Sequence, residues 1–373
     1  MKLLFFADKL PPEIGGMEIH AKYFIQYFAP RHDLIIITKQ NGYDCFVNIE
    51  LNSFEKIDLW HVLYTLRDER CIVFYNSGRW IECFERIRAI LPKALIFYRT
   101  GGNEIIKAPL SLPIREHAKR QEYWVKTLNR NIDTLIANSK FTQHRLLEVG
   151  LNKQLITIIS GGIDANNVES AVGLRSGTRH ALNCSPTDKL IVCCCRFVEY
   201  KRPFYLIKSF AELKTPCKIV LVGDGPLLEE CKVLAAKLKL KNVLFVGRVS
   251  NEKSLNIIAA ADIYCQASTD LTVEVEGGYY VHTEGMGRSL IEAICCGTRV
   301  VATDCGALQE FVTSENGTLV KVNGDDKELS MVIEAALSFP AIDEFTRIGF
   351  VKEFDFTNIF DTYSILWEKK GYC

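Results

Sequence analysis

The sequence predicts an α/β protein of two parallel-sheet domains, and three observations lead there. Short apolar, β-branched runs alternate with longer amphipathic ones, the signature of βαβ units. Those short runs are continuously apolar, as strands buried on both faces must be. The chain's 373 residues suit two domains at about 150 residues each.

The elements follow in chain order. Strand candidates in the first half are KLLFFA, DLIIIT, IDLWHVL, IVFYN, ALIFYR, TLIAN and LITIIS; those in the second half are KLIVCCC, KIVLVG, VLFVG, ADIYCQA and TRVVAT. Between the sets, residues 165–189 lose apolar periodicity and gain small and polar residues, which marks a domain connection. The expected organisation is an N-terminal Rossmann-like domain over 1–166, a second over 167–350 and a C-terminal helix over 351–373 that returns to the N-terminal domain. The two sheets are expected to face each other across a cleft.

Composition narrows the function. With 48% hydrophobic residues the chain is no disordered polymer. Its 45 basic and 45 acidic residues cancel, so no global charge calls for nucleic acid. No stretch approaches the roughly 18 apolar residues of a membrane span. The opening MKLLFFADK is too short in apolar residues for a signal-peptide core, so a cytoplasmic protein is expected. Fourteen cysteines include the runs Cys193–Cys195 and Cys295–Cys296, but no CxxC pair. They read as small buried hydrophobes in a reducing compartment, with no metal site.

Charge is uneven locally. From Arg79 to Arg145 the chain carries 13 basic and 6 acidic residues, a surplus of +7. Within it, PIREHAKRQEYWVKTLNRN reads as a helix, with Trp124 among Arg115, Lys119, Arg120, Lys126 and Arg130. Either this is a solvated face with an aromatic anchor into the core, or it meets an anionic membrane or lipid-linked substrate.

The segment richest in chemistry is EGMGRSLIEAICCGTRVVATDCG, from Glu284 to Gly306. Gly285 and Gly287 flank Met286 before a helical run from Arg288 that ends at Gly297. Glycines at a helix start let backbone N–H groups approach a ligand, and the helix dipole favours a phosphate there. Glu284 and Glu292 suit sugar hydroxyls better than phosphate, because a carboxylate accepts hydrogen bonds from them. GMGRSL is not a dinucleotide fingerprint, since Leu290 stands where the third glycine belongs. His20 reads as a packing or capping residue.

Glu284 and Glu292 form an E-x7-E pattern, and EGMGRSLIEAICCGTRVVATDCGALQEFV resembles the signature of retaining, family-4-type (group 1) nucleotide-sugar glycosyltransferases of the GT-B fold. PEIGGMEIH, ANSKFT, IISGGID, CCRFVEYKRP, VGDGPL and VLFVGRVS match further family segments in order. The resemblance implies that Arg196, Lys201 and Glu284 are catalytic. Arg196 and Lys201 would hold the donor diphosphate, and Glu284 would bind hydroxyls of the transferred sugar. Gly16, Val249, Met286, Gly287, Arg288 and Glu292 would bind the rest of the donor, Glu292 through the ribose and Val249 at the base. The family's histidine after the strand ALIFYR is replaced by Arg99, which with Asn103 and Glu104 is assigned to the acceptor side. The link before EGMG is expanded over 268–283. The resemblance further implies retention, no metal or other cofactor, and a glycan or lipid-linked acceptor at the cytoplasmic membrane face. Alternatives are a non-catalytic nucleotide-sugar-binding subunit and a sugar-nucleotide epimerase on the same fold.

Overall fold

The computed structural model describes residues 2–8, 10, 15–40, 43–48, 53–76, 78–101, 103–106, 114–275 and 278–372. The chain divides into two compact units. The first holds Met1–Gly161, Val273–Tyr280 and Phe356–Cys373, and the second holds Gly162–Thr272 and Val281–Asp355. The boundaries expected at 166 and 350 stand beside these divisions at 161 and 355.

The first unit contains β1 (Lys2–Phe6), β2 (Asp33–Gln40), β3 (Tyr43–Asn48), β4 (Ser53–Lys56), β5 (Cys71–Tyr75), β6 (Leu95–Thr100), β7 (Thr134–Ala137) and β8 (Ile156–Ile158). They form one sheet in the order β4-β3-β2-β1-β5-β6-β7-β8. All neighbours are parallel except β2–β3 and β3–β4. The runs LLFF of β1 and CIVFY of β5 are fully buried, which fits central strands covered on both faces. The helix Gly16–Phe28 buries His20, Ala21, Phe24, Ile25 and Phe28, a stripe at helical spacing. Its core also takes in Phe356, Phe360, Tyr363 and Trp367 from the helix Phe356–Lys369.

The second unit contains β9 (Lys189–Cys194), β10 (Cys217–Val222), β11 (Val243–Gly247), β12 (Ile263–Gln266), β13 (Leu271–Val275), β14 (Gly278–His282), β15 (Arg299–Thr303) and β16 (Gly317–Val320), although residues of β13 and β14 fall in the segment counted with the first. Six strands make a parallel sheet in the order β11-β10-β9-β12-β15-β16. Counted within the sheet this is the doubly wound order 3-2-1-4-5-6, whose direction reverses between β9 and β12. In open parallel sheets ligands bind outside the carboxyl ends of strands at that reversal. β13 and β14 form a separate two-stranded sheet.

One strand expectation is corrected. IDLWHVL contains the helix Leu59–Thr65, because Asp58 caps it by accepting hydrogen bonds from the backbone N–H groups of Trp60 and His61. Strands β3, β4, β13, β14 and β16 were not among the candidates; β4, for example, is the wholly exposed SFEK, which carries no apolar run.

His20 is a packing residue, 1% exposed, with Nε2 3.2 Å from the Tyr363 hydroxyl. Burial, reinforced by the charge of Arg99, holds its imidazole well below the ordinary histidine value. The unfolded chain takes up a proton near pH 6.5. The native His20 stays neutral until lower pH, so protons favour unfolding across that window. Its contribution is therefore complete above about pH 6.5 and is lost as the pH falls. Urea unfolding at pH 5 to 8 should show stability declining below about 6.5, and His20→Phe should flatten that decline by up to about 1.4 kcal/mol per pH unit. Parallel profiles for the two proteins would contradict the assignment.

Candidate functional site

The loops that leave the carboxyl ends of β9 and β12 meet the segment 283–288. After β9 the chain crosses Arg196 and makes a short turn over Glu199–Lys201. Arg202 then adopts a left-handed conformation and Pro203 opens the next helix, a position that needs no backbone N–H. The loop is pinned from the β10 side: Cys195 N–H donates to Val222 O, Phe197 N–H to Asp224 O and Leu227 N–H to Phe197 O. Phe197 is buried, and Arg196 is exposed at the end of the strand.

Lys201 pairs with Glu284 through Nζ and Oε2, and both side chains are largely buried, at 12% and 14% exposure. The same Oε2 accepts hydrogen bonds from Gln266 Nε2 and Ser268 Oγ, each at 3.1 Å. Gln266 and Ser268 end β12 and begin the loop after it, so residues on both sides of the sheet reversal converge on one carboxylate. Burial alone would depress the Lys201 ammonium. Glu284 outweighs it, with Tyr200 adding, and raises it above the ordinary lysine value.

Glu284 is also fixed through its backbone, where its carbonyl accepts from Ala307 N–H at 2.9 Å. Gly306 makes that approach possible. Its φ is +55°, and a Cβ there would stand 2.2 Å from the Glu284 carbonyl oxygen.

The helix Arg288–Cys295 begins at Gly287, which has φ +77° and ψ +53° and would bring a Cβ within 2.4 Å of Leu308. Ser289 Oγ bonds the Tyr264 hydroxyl at 2.7 Å and the Cys194 carbonyl at 3.3 Å, which ties the helix start to the ends of β9 and β12. Met286 is buried just before it. Glu292, one turn in, is 6% exposed and takes its contacts from Asn251 Nδ2 at 3.3 Å and Arg288 Nε at 3.4 Å. Arg288 Nη1 is buried without a hydrogen-bond partner. Val249 is half-buried in the turn between β11 and the helix Asn251–Ala260, two residues before the Asn251 that reaches Glu292.

Of the residues expected at the site, Lys201 and Glu284 therefore meet directly, as do Arg288 and Glu292. Gly16 and Arg99 lie on the first unit. Gly16 opens its helix with open space where a Cβ would stand, and Arg99 is 5% exposed with Nη1 3.0 Å from Met17 Sδ. Asn103 and Glu104 open the helix Asn103–Ile106, and their side chains lie outside the described residues. Sequence reasoning missed Gln266, Ser268, Asn251 and Tyr200; the available signal was a polar residue at the carboxyl end of an apolar strand, as in ADIYCQAS.

A surface depression of about 450 Å³ lined by Asn183, Asp188, Lys218, Lys241 and Asn242 lies at the amino ends of β9, β10 and β11. That is the edge where parallel sheets do not place their ligands, and it holds none of the expected site residues. Among the described residues, no three His, Cys, Asp or Glu side chains are grouped to hold a metal ion. No described helix is long and apolar enough to cross a membrane. The described cysteines are free thiols.

Residues 177–345 match the family of glycosyl transferases group 1. An uncharacterized glycosyltransferase of Methanocaldococcus jannaschii is 25% identical over 364 residues, covering 88% of this chain and 87% of that protein. A GDP-mannose-dependent monoacylated alpha-(1-6)-phosphatidylinositol monomannoside mannosyltransferase of Corynebacterium glutamicum is 24% identical over 350 residues, covering 89% and 88%. The structure of Anabaena Alr3699/HepE in complex with UDP and glucose superposes with a TM-score of 0.75 at 20% identity, covering 99% of this chain and 100% of that one. Residues 177–345, most of the second unit, thus match the group 1 glycosyl transferases, and the chain has the GT-B fold.

Proposed function

We propose that the second unit binds a nucleoside-diphosphate sugar and that the enzyme passes the sugar, with retention, to a hydroxyl of a glycan or lipid-linked saccharide. The observation that carries this reading is the buried Lys201–Glu284 pair at the sheet reversal, in the same loop cluster as the start of the helix Arg288–Cys295. Departure of the nucleoside diphosphate builds negative charge on the β-phosphate and positive charge on the sugar. Lys201, Arg196 and the backbone amides at Met286, Gly287 and Arg288 would stabilise the first. Glu284 would hold sugar hydroxyls beside the second, and Glu292 would accept from the ribose. Val249 would meet the base through its backbone. Retention follows if the acceptor hydroxyl attacks from the face the phosphate leaves, with that phosphate taking the proton. Gly16 would bind the donor, and Arg99, Asn103 and Glu104 the acceptor.

The acceptor class has two supports. The Corynebacterium relative's name specifies a phosphatidylinositol mannoside acceptor. In this chain, the helix Ile114–Asn131 exposes Arg115, Lys119, Lys126 and Arg130. At 100° per residue these fall within about 60° of arc. Tyr123 is exposed beside them, and Lys126 pairs with Glu122 at 2.6 Å. Trp124 is buried beneath the Arg120 guanidinium, so it anchors the helix to the core. The basic face would meet anionic lipid at the cytoplasmic side of the membrane.

Thermal stabilisation by a panel of nucleotide sugars tests the donor reading, because a ligand that binds the native state raises its stability by mass action. With the donor so found, Glu292→Ala should weaken nucleoside diphosphate binding by about 1.5–3 kcal/mol, roughly ten- to a hundredfold. Glu284→Gln should lower turnover more than nucleotide affinity, since it removes charge felt mainly in the transition state. Intact turnover in Glu284→Gln, or equal loss of nucleotide binding in both variants, would contradict these roles.

Activity should also persist in excess chelator, because Arg196 and Lys201 supply the positive charge a metal would bring. Loss in chelator with recovery on adding Mg²⁺ or Mn²⁺ would count against this. On vesicles, the protein should sediment with anionic rather than neutral lipid at low salt and be released as salt rises, since exposed charges are screened within about 10 Å at 0.1 M. Equal recovery with both lipids would dismiss the basic face as a membrane contact.

A further inference from the structure

The segment 268–283 begins at one ligand of the Glu284 carboxylate and ends next to Glu284 itself. Its strands β13 and β14 make a two-stranded sheet, which in water is marginal by itself. What fixes the two roots of this ribbon therefore decides where it stands. Both roots are held by one residue, Tyr200. Its carbonyl accepts from Thr269 N–H at 2.8 Å, at the entry to β13. Its ring lies against the His282 ring, with centroids 3.9 Å apart and planes tilted by 39°, at the end of β14. The opposite side of the roots is also pinned. Cys305 Sγ lies 3.4 Å from Asp270 Oδ1 and 3.8 Å from Thr283 Oγ1, and Thr303 Oγ1 donates to the Ser268 carbonyl.

Tyr200 immediately precedes Lys201, and His282 stands two residues before Glu284. The ring contact thus joins the two backbones that carry the buried ion pair. The Lys201 ammonium is itself 5.3 Å from the centre of the Tyr200 ring. Burial, opposed by the charge of Lys201 and aided by that of Glu284, pushes the Tyr200 phenol up.

We propose that Tyr200 and His282 are positioning residues. Their ring contact sets the Lys201–Glu284 pair against the hexosyl part of a nucleoside-diphosphate sugar. This rests on the donor-site reading above. It assigns the ring contact to the sugar end of the donor, so nucleotide binding and sugar turnover should separate.

The test uses the full chain with UDP-glucose and GDP-mannose as donors, and with UDP and GDP as nucleotide probes. In His282→Ala, kcat for donor turnover should fall about tenfold or more, because misplacing a catalytic group by about an ångström suffices. Nucleoside diphosphate affinity by calorimetry should stay within about threefold, since a group acting only at the sugar leaves uniform binding intact. His282→Phe restores a flat ring and should recover most of the lost kcat. Circular dichroism checks that each variant folds; if His282→Ala does not, Tyr200→Leu, which keeps bulk without the ring face, carries the same expectations. Unchanged kcat, nucleotide affinity lost in step with kcat, or no recovery with phenylalanine would each overturn the inference alone. Failure of every nucleotide sugar of the stabilisation panel, UDP-glucose and GDP-mannose included, to bind the wild type overturns the donor-site reading, and this inference with it.

Discussion

The buried ion pair between Lys201 and Glu284 is the interaction on which the second unit's loop geometry depends. Two charges this far from water are tolerable only together, because removing one leaves the other uncompensated, at a cost of about 3–5 kcal/mol in such sites. Their surroundings supply the rest of the compensation. Gln266 and Ser268 donate to the same carboxylate oxygen, and the Ala307 N–H holds the Glu284 backbone. Gly306 is needed for that last contact, since any side chain there would strike the carbonyl it packs against.

Strand order explains why these residues meet. Lys201 follows β9 and Gln266 ends β12, and these neighbours lie where the winding of the sheet reverses. Helices on either side of a reversal diverge, which leaves room above the strand ends for loops and a ligand. The Ser289–Tyr264–Cys194 contacts fasten the start of the helix Arg288–Cys295 to this edge. Its amides and Arg288 are thereby held near the carboxylates without any direct contact between Glu284 and Glu292 being required. Electrostatic preorganisation of this kind suits a reaction whose leaving group gains charge.

Much of this was legible in the sequence, for definite reasons. Central strands such as CIVFY and KLIVCC show as unbroken apolar runs because both their faces are covered. Glu284, Gly287 and Glu292 are close in sequence, so their spacing could be read without a fold. What was not legible depends on tertiary context or on local competition. IDLWHVL has a strand-like composition, yet Asp58 starts a helix within it. The ribbon β13–β14 interrupts the expected link; LTVEV alternates apolar and polar residues as a strand does, but its partner GYYVH does not. Gln266, Ser268 and Asn251 are ordinary polar residues until the fold brings them to a carboxylate. The partnership of Tyr200 with His282 spans 82 positions and leaves no trace in either neighbourhood.

The central claim is that the Lys201–Glu284 pair meets the donor at the junction of its phosphate and its sugar. A crystal structure of the protein with a bound nucleoside-diphosphate sugar tests it most directly. The account predicts a β-phosphate oxygen within hydrogen-bond distance of Lys201 Nζ and of the backbone amides at the start of the helix Arg288–Cys295, with a sugar hydroxyl donating to Glu284. A donor bound elsewhere on the chain, with Lys201 and Glu284 touching only each other, would contradict it.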